Sequence, residues 1–261
     1  MMKILGTQTS NFKMNKIITS GCSYSTNTGS TPYSIILGNS SNDVYVENKA
    51  WPGQSNQSIL RQIRNDINSG ITDTTFICQL THLHRLSIYC NRNNDYIDFS
   101  PTFTTLSPVI KDGNIQFDID FNNPDQGTLR GIGTYGATGQ HDVGLSDDEY
   151  KELWNFYKIY LNYSYDDDTA FYNLIEMVDD MQRLVDITNN KILFLFWPNT
   201  ISDIEELKKR NFINFDGEYS LLNWSVSKNI LDGTSHLSQL GHELVAERLL
   251  NNLNLEKNRF I

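Results

Sequence analysis

The sequence predicts an α/β protein, a three-layer α/β/α sandwich with helices on both faces of a parallel sheet. Three observations carry that expectation. Residues 74–80 (TTFICQL) and 191–197 (KILFLFW) are apolar runs of strand length, the pattern of strands buried on both faces. Segments with apolar residues at helical spacing lie between such runs, and strands alternating with helices favour a parallel sheet. The 261 residues suffice for one sizeable core and are short for two, so a single domain spanning 1–261 is expected.

Taken in order, MNKIITS places a short strand at Ile17 to Thr19 behind a polar leader. Met14 offers a second start, and residues 1–13 are read as a disordered extension. A Gly/Ser/Thr-rich turn follows, and then DVYVENKAW (43–51), where Val44 and Val46 alternate as in a second strand. SNQSILRQIRNDINSG spaces Ile59, Ile63 and Ile67 four apart, with Ser55 or Asn56 as N-cap and Gly70 as the stop, a helix of about three turns. After the strand at 74–80, residues 88–144 lose periodicity and read as an insertion of hairpins and loops, a candidate substrate lid. Its glycines from Gly131 to Gly139 lack a P-loop lysine.

Helical order resumes at Ser146–Glu149, an S-x-x-E capping box, and from Thr169 to Ile187 with Phe171, Leu174, Ile175, Val178, Met181 and Val185 on one face. After the strand at 191–197, a second capping box at Ser202–Glu205 opens a short helix. A last helix runs from Ser238 to Leu253 on Leu240, Leu244, Val245, Leu249 and Leu253, with His242 expected on its surface.

Composition narrows the function. A formal charge of −10 repels phosphate backbones and anionic lipids, so nucleic acid is not an expected partner. Cys22, Cys78 and Cys90 cannot all pair and none lies in a C-x-x-C spacing, so neither a disulfide framework nor a zinc site is expected. The longest apolar run, Ile192 to Trp197, is far short of the roughly 18 residues of a membrane span. With no signal-peptide core recognised near the N-terminus, a cytoplasmic location is expected. His82 and His84 share one face of an extended segment, as a metal pair would, with His141 the distant third candidate; no metal and no cofactor are expected.

In an open parallel sheet, reactive groups gather at the carboxyl ends of strands. Gly21-Cys22-Ser23-Tyr24-Ser25 follows the first strand, Trp51-Pro52-Gly53-Gln54-Ser55-Asn56 the second, and Thr81-His82-Leu83-His84-Arg85 the third. A hydroxyl on a tight turn after a strand has N–H groups beside it for an oxyanion, and it needs an imidazole to take its proton. The imidazole is offered by Asp232-Gly233-Thr234-Ser235-His236, just before the last helix. The order Ser, Asp, His also occurs in α/β-hydrolases, but their G-x-S-x-G elbow is absent; here G-x-S-x-S follows the first strand. Cys22 is expected to point away from Ser23 into the core.

At these residues the sequence resembles the SGNH (GDSL-type) hydrolase superfamily. Gly21-Cys22-Ser23-Tyr24-Ser25 is similar to its first block, with Ser23 in the nucleophile's place; Gly53 matches the glycine of its second block, and Asp232 and His236 its last. The resemblance implies a flavodoxin-like parallel sheet, catalysis by Ser23, His236 and Asp232, and oxyanion donation by Ser23 and Gly53. Two departures stand out. The third block, G-x-N-D, falls on Thr81-His82-Leu83-His84, so its asparagine is missing; Asn56 is the first candidate substitute in the oxyanion hole, with Thr81 and His82 the alternatives. Asp232 stands four residues before His236, where the family has three.

The function expected is cleavage of a carboxylic ester through an acyl-enzyme, with no partner beyond a small-molecule or carbohydrate ester. Thr81 and Arg85 are the expected substrate contacts, with a salt-bridge role for Arg85 equally open. The aromatic, polar insertion (Tyr89, Tyr96, Phe99, Phe103, Phe117, Tyr135) favours O-acetyl groups on a carbohydrate. The rival is a catalytically degenerate SGNH-like binding or structural module, suggested by the missing asparagine.

Overall fold

The computed structural model describes residues 15–26, 29–40, 44–91, 95–99, 102–103, 109–111, 114–116, 127–128, 132–134, 146–198, 201–233 and 236–255. The leader at 1–13, Phe117, Tyr135, His141, Thr234, Ser235 and most of the glycine run at 131–139 lie outside them. In chain order the elements are β1 (Asn15–Ser20), a 3-10 turn (Ser23–Ser25), α1 (Tyr33–Asn39), β2 (Val44–Asn48), α2 (Asn56–Asn68), β3 (Thr74–Leu80), β4 (Leu86–Cys90) and β5 (Asp95–Phe99). Short strands follow: β6 (Thr102–Phe103), β7 (Val109–Lys111), β8 (Asn114–Gln116), β9 (Gly127–Thr128) and β10 (Ile132–Thr134). Then come α3 (Asp147–Tyr163), α4 (Asp167–Ile187), β11 (Lys191–Phe196), α5 (Ile204–Lys208), α6 (Leu221–Ser227) and α7 (Gln239–Asn252).

Four parallel strands form the central sheet in the order β11-β3-β1-β2. This is the start of a flavodoxin-like order. Beyond β11 the chain adds single parallel bridges, Phe194 to Phe212 and Phe196 to Ser220. Period-two alternation divides the apolar side chains between two cores. Ile18, Phe76, Cys78, Leu80, Ile192, Phe194 and Phe196 pack with α2 and α4, whereas Ile17, Ile77, Leu195 and Trp197 pack with α1, α6 and α7. The six residues expected on the inner face of α4 are all buried. Ser55, not Asn56, caps α2, its hydroxyl accepting from Ser58 N–H at 3.2 Å.

A third, smaller core joins the start of the insertion to α3. Ile97 and Phe99 of β5 bury against Tyr157, with the Phe99 and Tyr157 rings stacked at 5.6 Å. Asp98 points the opposite way along the strand and accepts from Ser55 Oγ at 2.6 Å and Ser58 Oγ at 2.7 Å, which ties β5 to the first turn of α2. Arg61 lies over the Tyr96 ring, 3.3 Å from its centroid, a cation–π contact on the same seam. Among the described residues no helix is long and apolar enough to cross a membrane.

Three sequence expectations change. The Gly/Ser/Thr-rich segment after β1 also contains α1, and α6 forms before the Asp232 loop; each has only seven residues, too few for a periodic signal. The cap of α5 is Asp203, not Ser202. Its carboxylate accepts from Glu205 N–H at 2.9 Å and Glu206 N–H at 3.4 Å, and a negative charge suits a helix N-terminus. The face of α7 is rotated: Leu240 is 54% exposed and His242 only 1%. Gly241 explains the rotation, because a Cβ there would lie 2.7 Å from the Ile230 carbonyl oxygen, so α7 makes its closest backbone approach at 241 and turns 242 inward.

In urea unfolding, Leu249→Ala is therefore expected to cost about 2–5 kcal/mol, as for a fully buried leucine. Leu240→Ala should stay within about 0.5 kcal/mol of the parent. Equal losses at the two positions would contradict the observed face of α7.

Candidate active site

Strands β1, β2 and β3 end side by side: Thr19 pairs with Asn48 and Ser20 with Cys78. The loops leaving these ends are stitched together by polar groups. Trp51 N–H donates to Gly21 O at 3.0 Å, and Asn48 Nδ2 donates to Ser25 O at 3.0 Å. Ser20 Oγ donates to Gln62 Oε1, and Gln62 Nε2 donates to Lys49 O at 3.0 Å. The turn carrying Ser23 and the loop carrying Gly53 are thus parts of one scaffold.

After β1 the chain makes a single 3-10 turn, closed by Ser25 N–H on Cys22 O at 3.0 Å and Thr26 N–H on Ser23 O at 3.2 Å. Gly21 is required here, since a Cβ would meet Ser25 Oγ at 2.6 Å and Gln79 Cβ at 3.0 Å. Cys22 and Ser25 are fully buried while Ser23 is half-buried, so the turn shows Ser23 outward and turns its neighbouring thiol into the core. Ser25 Oγ donates to Gln79 Oε1 on β3 and meets Tyr33 OH at 3.1 Å, fixing the turn from beneath. Gly53 has φ +85°, a left-handed conformation that favours glycine. Among the described residues, no acceptor engages the N–H of Ser23 or of Gly53.

Asp232 and His236 close a tight hairpin between α6 and α7, flanked by the antiparallel bridge Leu231–Leu237. Asp232 N–H donates to His236 O at 2.7 Å, and Asp232 Oδ1 accepts from the main-chain N–H of His236 at 3.0 Å. The carboxylate of Asp232 thus holds the backbone of the histidine four residues on. The hairpin is joined to the Ser23 side of the sheet through α7: Thr31 N–H donates to Gln239 Oε1 at 2.9 Å and Tyr33 N–H to His242 Nδ1 at 3.2 Å. Burial first, and then nearby His236, bring His242 down to about 4 against the opposing Asp232 charge. The structure thus brings Ser23, Gly53, Asp232 and His236 to one end of the sheet.

Asn56 has a different task from the one expected. Its Nδ2 donates to Thr81 O at 3.1 Å and its Oδ1 accepts from Thr81 N–H at 2.7 Å. Both ends of the carboxamide are engaged by one backbone residue, so Asn56 fastens α2 to the end of β3 and commits one of its two N–H donors there. Thr81 is fully buried. Arg85 is 7% exposed, and its Nη1 donates to Gln54 O at 3.0 Å. The His82 and His84 rings stack at 5.3 Å, and Tyr157 OH donates to His84 O at 3.0 Å. Burial first, and then the Arg85 charge, hold His84 at about 3; burial, His84 and Arg85 keep His82 well below its ordinary value. Among the described residues no group of three or more His, Cys, Asp or Glu is placed to hold a metal. The sequence assigns no role to Gln54 or Gln79 and places His242 on the surface of the last helix; burial singles all three out.

The chain is similar in structure to protein YxiM of Bacillus subtilis, at 11% identity and a TM-score of 0.46, over 92% of this chain and 56% of that one. It is also similar to a member of the lipolytic protein G-D-S-L family from Veillonella parvula, at 11% identity and a TM-score of 0.46, over 92% of this chain and 98% of that one. No protein-family model and no curated protein matches the sequence. At this identity the chemistry rests on the residues, not on the neighbours.

Two outcomes are expected. Asn56→Ala should lower stability by roughly 2 kcal/mol or more, because the Thr81 backbone groups lose their partners. A drop in turnover without a drop in melting temperature would return Asn56 to the oxyanion hole. Acid should destabilise the fold: His82, His84 and His242 bind protons in the unfolded chain below about 6.5 but resist them when folded, so stability is present above that pH and lost as pH falls toward 4. Raised Asp98 acts in the opposite sense, with a window that opens from its ordinary value near 3.8. The fall in melting temperature from pH 7 to 5 should be shallower in His242→Gln, and an unchanged slope would remove His242 from this account.

Proposed function

We propose that the chain is a serine hydrolase that cleaves carboxylic esters by acyl transfer through Ser23. The observation that carries the reading is the outward Ser23 on the turn after β1, with the N–H groups of Ser23 and Gly53 unengaged among the described residues and the Asp232–His236 pair at the same end of the sheet. A serine hydroxyl is a weak nucleophile until a base takes its proton. In this reading His236 removes the Ser23 proton as Oγ attacks the ester carbonyl, and the N–H groups of Ser23 and Gly53 receive the developing oxyanion. His236 then returns the proton to the departing alcohol, leaving an acyl-serine. Water, deprotonated by His236, hydrolyses that intermediate and restores Ser23. Asp232 acts through the backbone of His236 and through its negative charge beside the imidazolium.

The substrate favoured by the insertion is a small acyl group on a carbohydrate. Its described aromatic surface is Tyr89, 47% exposed and edge-on to Tyr96 at 5.2 Å. One observation favours a non-catalytic binding module instead: Asn56, the substitute for the missing oxyanion donor, is already engaged by Thr81.

A fluorophosphonate probe separates the two, since it labels only an activated serine. Labelling is expected at Ser23 and nowhere in Ser23→Ala, and turnover of p-nitrophenyl acetate should fall by about a thousandfold or more in that variant. Absence of labelling in the folded parent protein would establish the binding module; turnover retained in Ser23→Ala but lost in Cys22→Ala would replace the serine by the thiol.

A further inference from the structure

Among the described residues Arg85 is a cation without a counterion. At 7% exposure its guanidinium makes one hydrogen bond, Nη1 to Gln54 O at 3.0 Å; Nε is buried with no acceptor, and no carboxylate pairs with it among the described residues. Arg210 shows the usual arrangement, with Asp179 accepting from Nε at 2.6 Å and from Nη2 at 2.7 Å, and Glu206 from Nη1 at 2.8 Å. A buried charge is costly unless it is paired, so an unpaired one points to an anion that arrives from outside.

The surroundings are as unsatisfied as the arginine. Gln54 is 2% exposed, and neither its Nε2 nor its Oε1 has a partner; Thr81, fully buried, has an unpartnered Oγ1. Buried polar groups are ordinarily hydrogen-bonded, and here three such residues lie within one pair of loops. Arg85 is bonded to the carbonyl of Gln54, the residue after Gly53, and Asn56 holds Thr81 to the same loop. The cluster therefore adjoins the proposed oxyanion site.

We infer that Arg85, Gln54 and Thr81 form a subsite for a carboxylate on the substrate, so that the ester cleaved is one bearing a carboxylate in its alcohol or acyl part, such as an acylated hydroxy acid or sugar acid. The placing of this subsite in catalysis rests on the ester-hydrolase reading; the anion binding does not. With Nη1 committed to Gln54 O, the guanidinium keeps its Nε–Nη2 edge, two parallel N–H donors that match the two oxygens of a carboxylate. The charge balance favours a monoanion. His82 and His84, the neighbouring groups that could add positive charge, are held neutral by burial and by Arg85 itself, so one positive charge is available. Gln54 and Thr81 supply a donor amide, an acceptor carbonyl and a hydroxyl for what the carboxylate is attached to.

The test measures binding to the full chain carrying Ser23→Ala, so that it does not depend on turnover. Benzoate, benzamide and phenyl phosphate are titrated by calorimetry at pH 7.5. Benzoate is expected to bind at least tenfold more tightly than benzamide or phenyl phosphate, and Arg85→Gln in the same background should remove that preference. Arg85→Lys keeps the charge without the fork and should lose most of it too; this variant and Gln54→Ala carry the test if Arg85→Gln does not fold. Benzoate binding no tighter than benzamide overturns the anion subsite, and so does a preference that survives Arg85→Lys and Gln54→Ala undiminished. Tighter binding of phenyl phosphate overturns the carboxylate assignment. If benzoate binds as expected while the parent protein hydrolyses no ester and takes no fluorophosphonate label, the subsite stands and the ester-hydrolase reading falls.

Discussion

Strand β3 is the constraint on which the molecule depends. It lies between β1 and β11 and is buried on both faces: Phe76, Cys78 and Leu80 fill one core and Ile77 the other. A slip of one residue would exchange those faces, placing Gln79 where Cys78 packs and withdrawing its amide from beneath the Ser23 turn. The register Ser20–Cys78 and Cys78–Phe194 therefore fixes more than the sheet. It decides that Gln79 emerges beside Ser25, and so where the turn after β1 is anchored.

Around that strand the loops are held largely by side-chain amides. Asn48, Asn56, Gln62 and Gln79 each bridge segments that are distant in sequence. An amide presents a donor and an acceptor together, so it can satisfy a backbone N–H and C=O at once, as Asn56 does at Thr81. Among the described residues one close ion pair joins these amides, Lys49 of the loop after β2 with Asp66 of α2 at 2.7 Å; those on α5 and at the Asp216 turn are more exposed and contribute little. Within the site, burial and Arg85 keep His82 and His84 neutral, and Arg85 has no carboxylate partner among the described residues. The formal charge of −10 on the chain makes that local exception stand out against an anionic background.

The main strands and long helices were legible in the sequence because their signals are local. Continuous apolar runs gave β3 and β11, and a six-residue stripe gave the buried face of α4 without error. The turn after β1 was legible for the same reason: a glycine that must lack a Cβ, a buried cysteine and an outward serine occupy consecutive positions. Helices of seven residues were not legible, since less than two full turns shows no period. The inward face of α7 was misread because leucines at helical spacing outweighed a single glycine whose close approach to Ile230 sets the rotation.

What the sequence by itself determined was the parallel α/β order and which loops leave the carboxyl ends of its strands, because strand ends follow from local periodicity. What only the tertiary structure decided was the state of the polar side chains there. Asn56 and Thr81 are 25 residues apart and Tyr33 and His242 are 209 apart, distances at which no local pattern says which donor meets which acceptor. Folding engages Asn56, buries His242 and leaves Arg85 with one bond and no counterion among the described residues. Each outcome is set by which backbone group happens to lie within about 3 Å once the chain is packed, because a hydrogen bond is decided by that short distance.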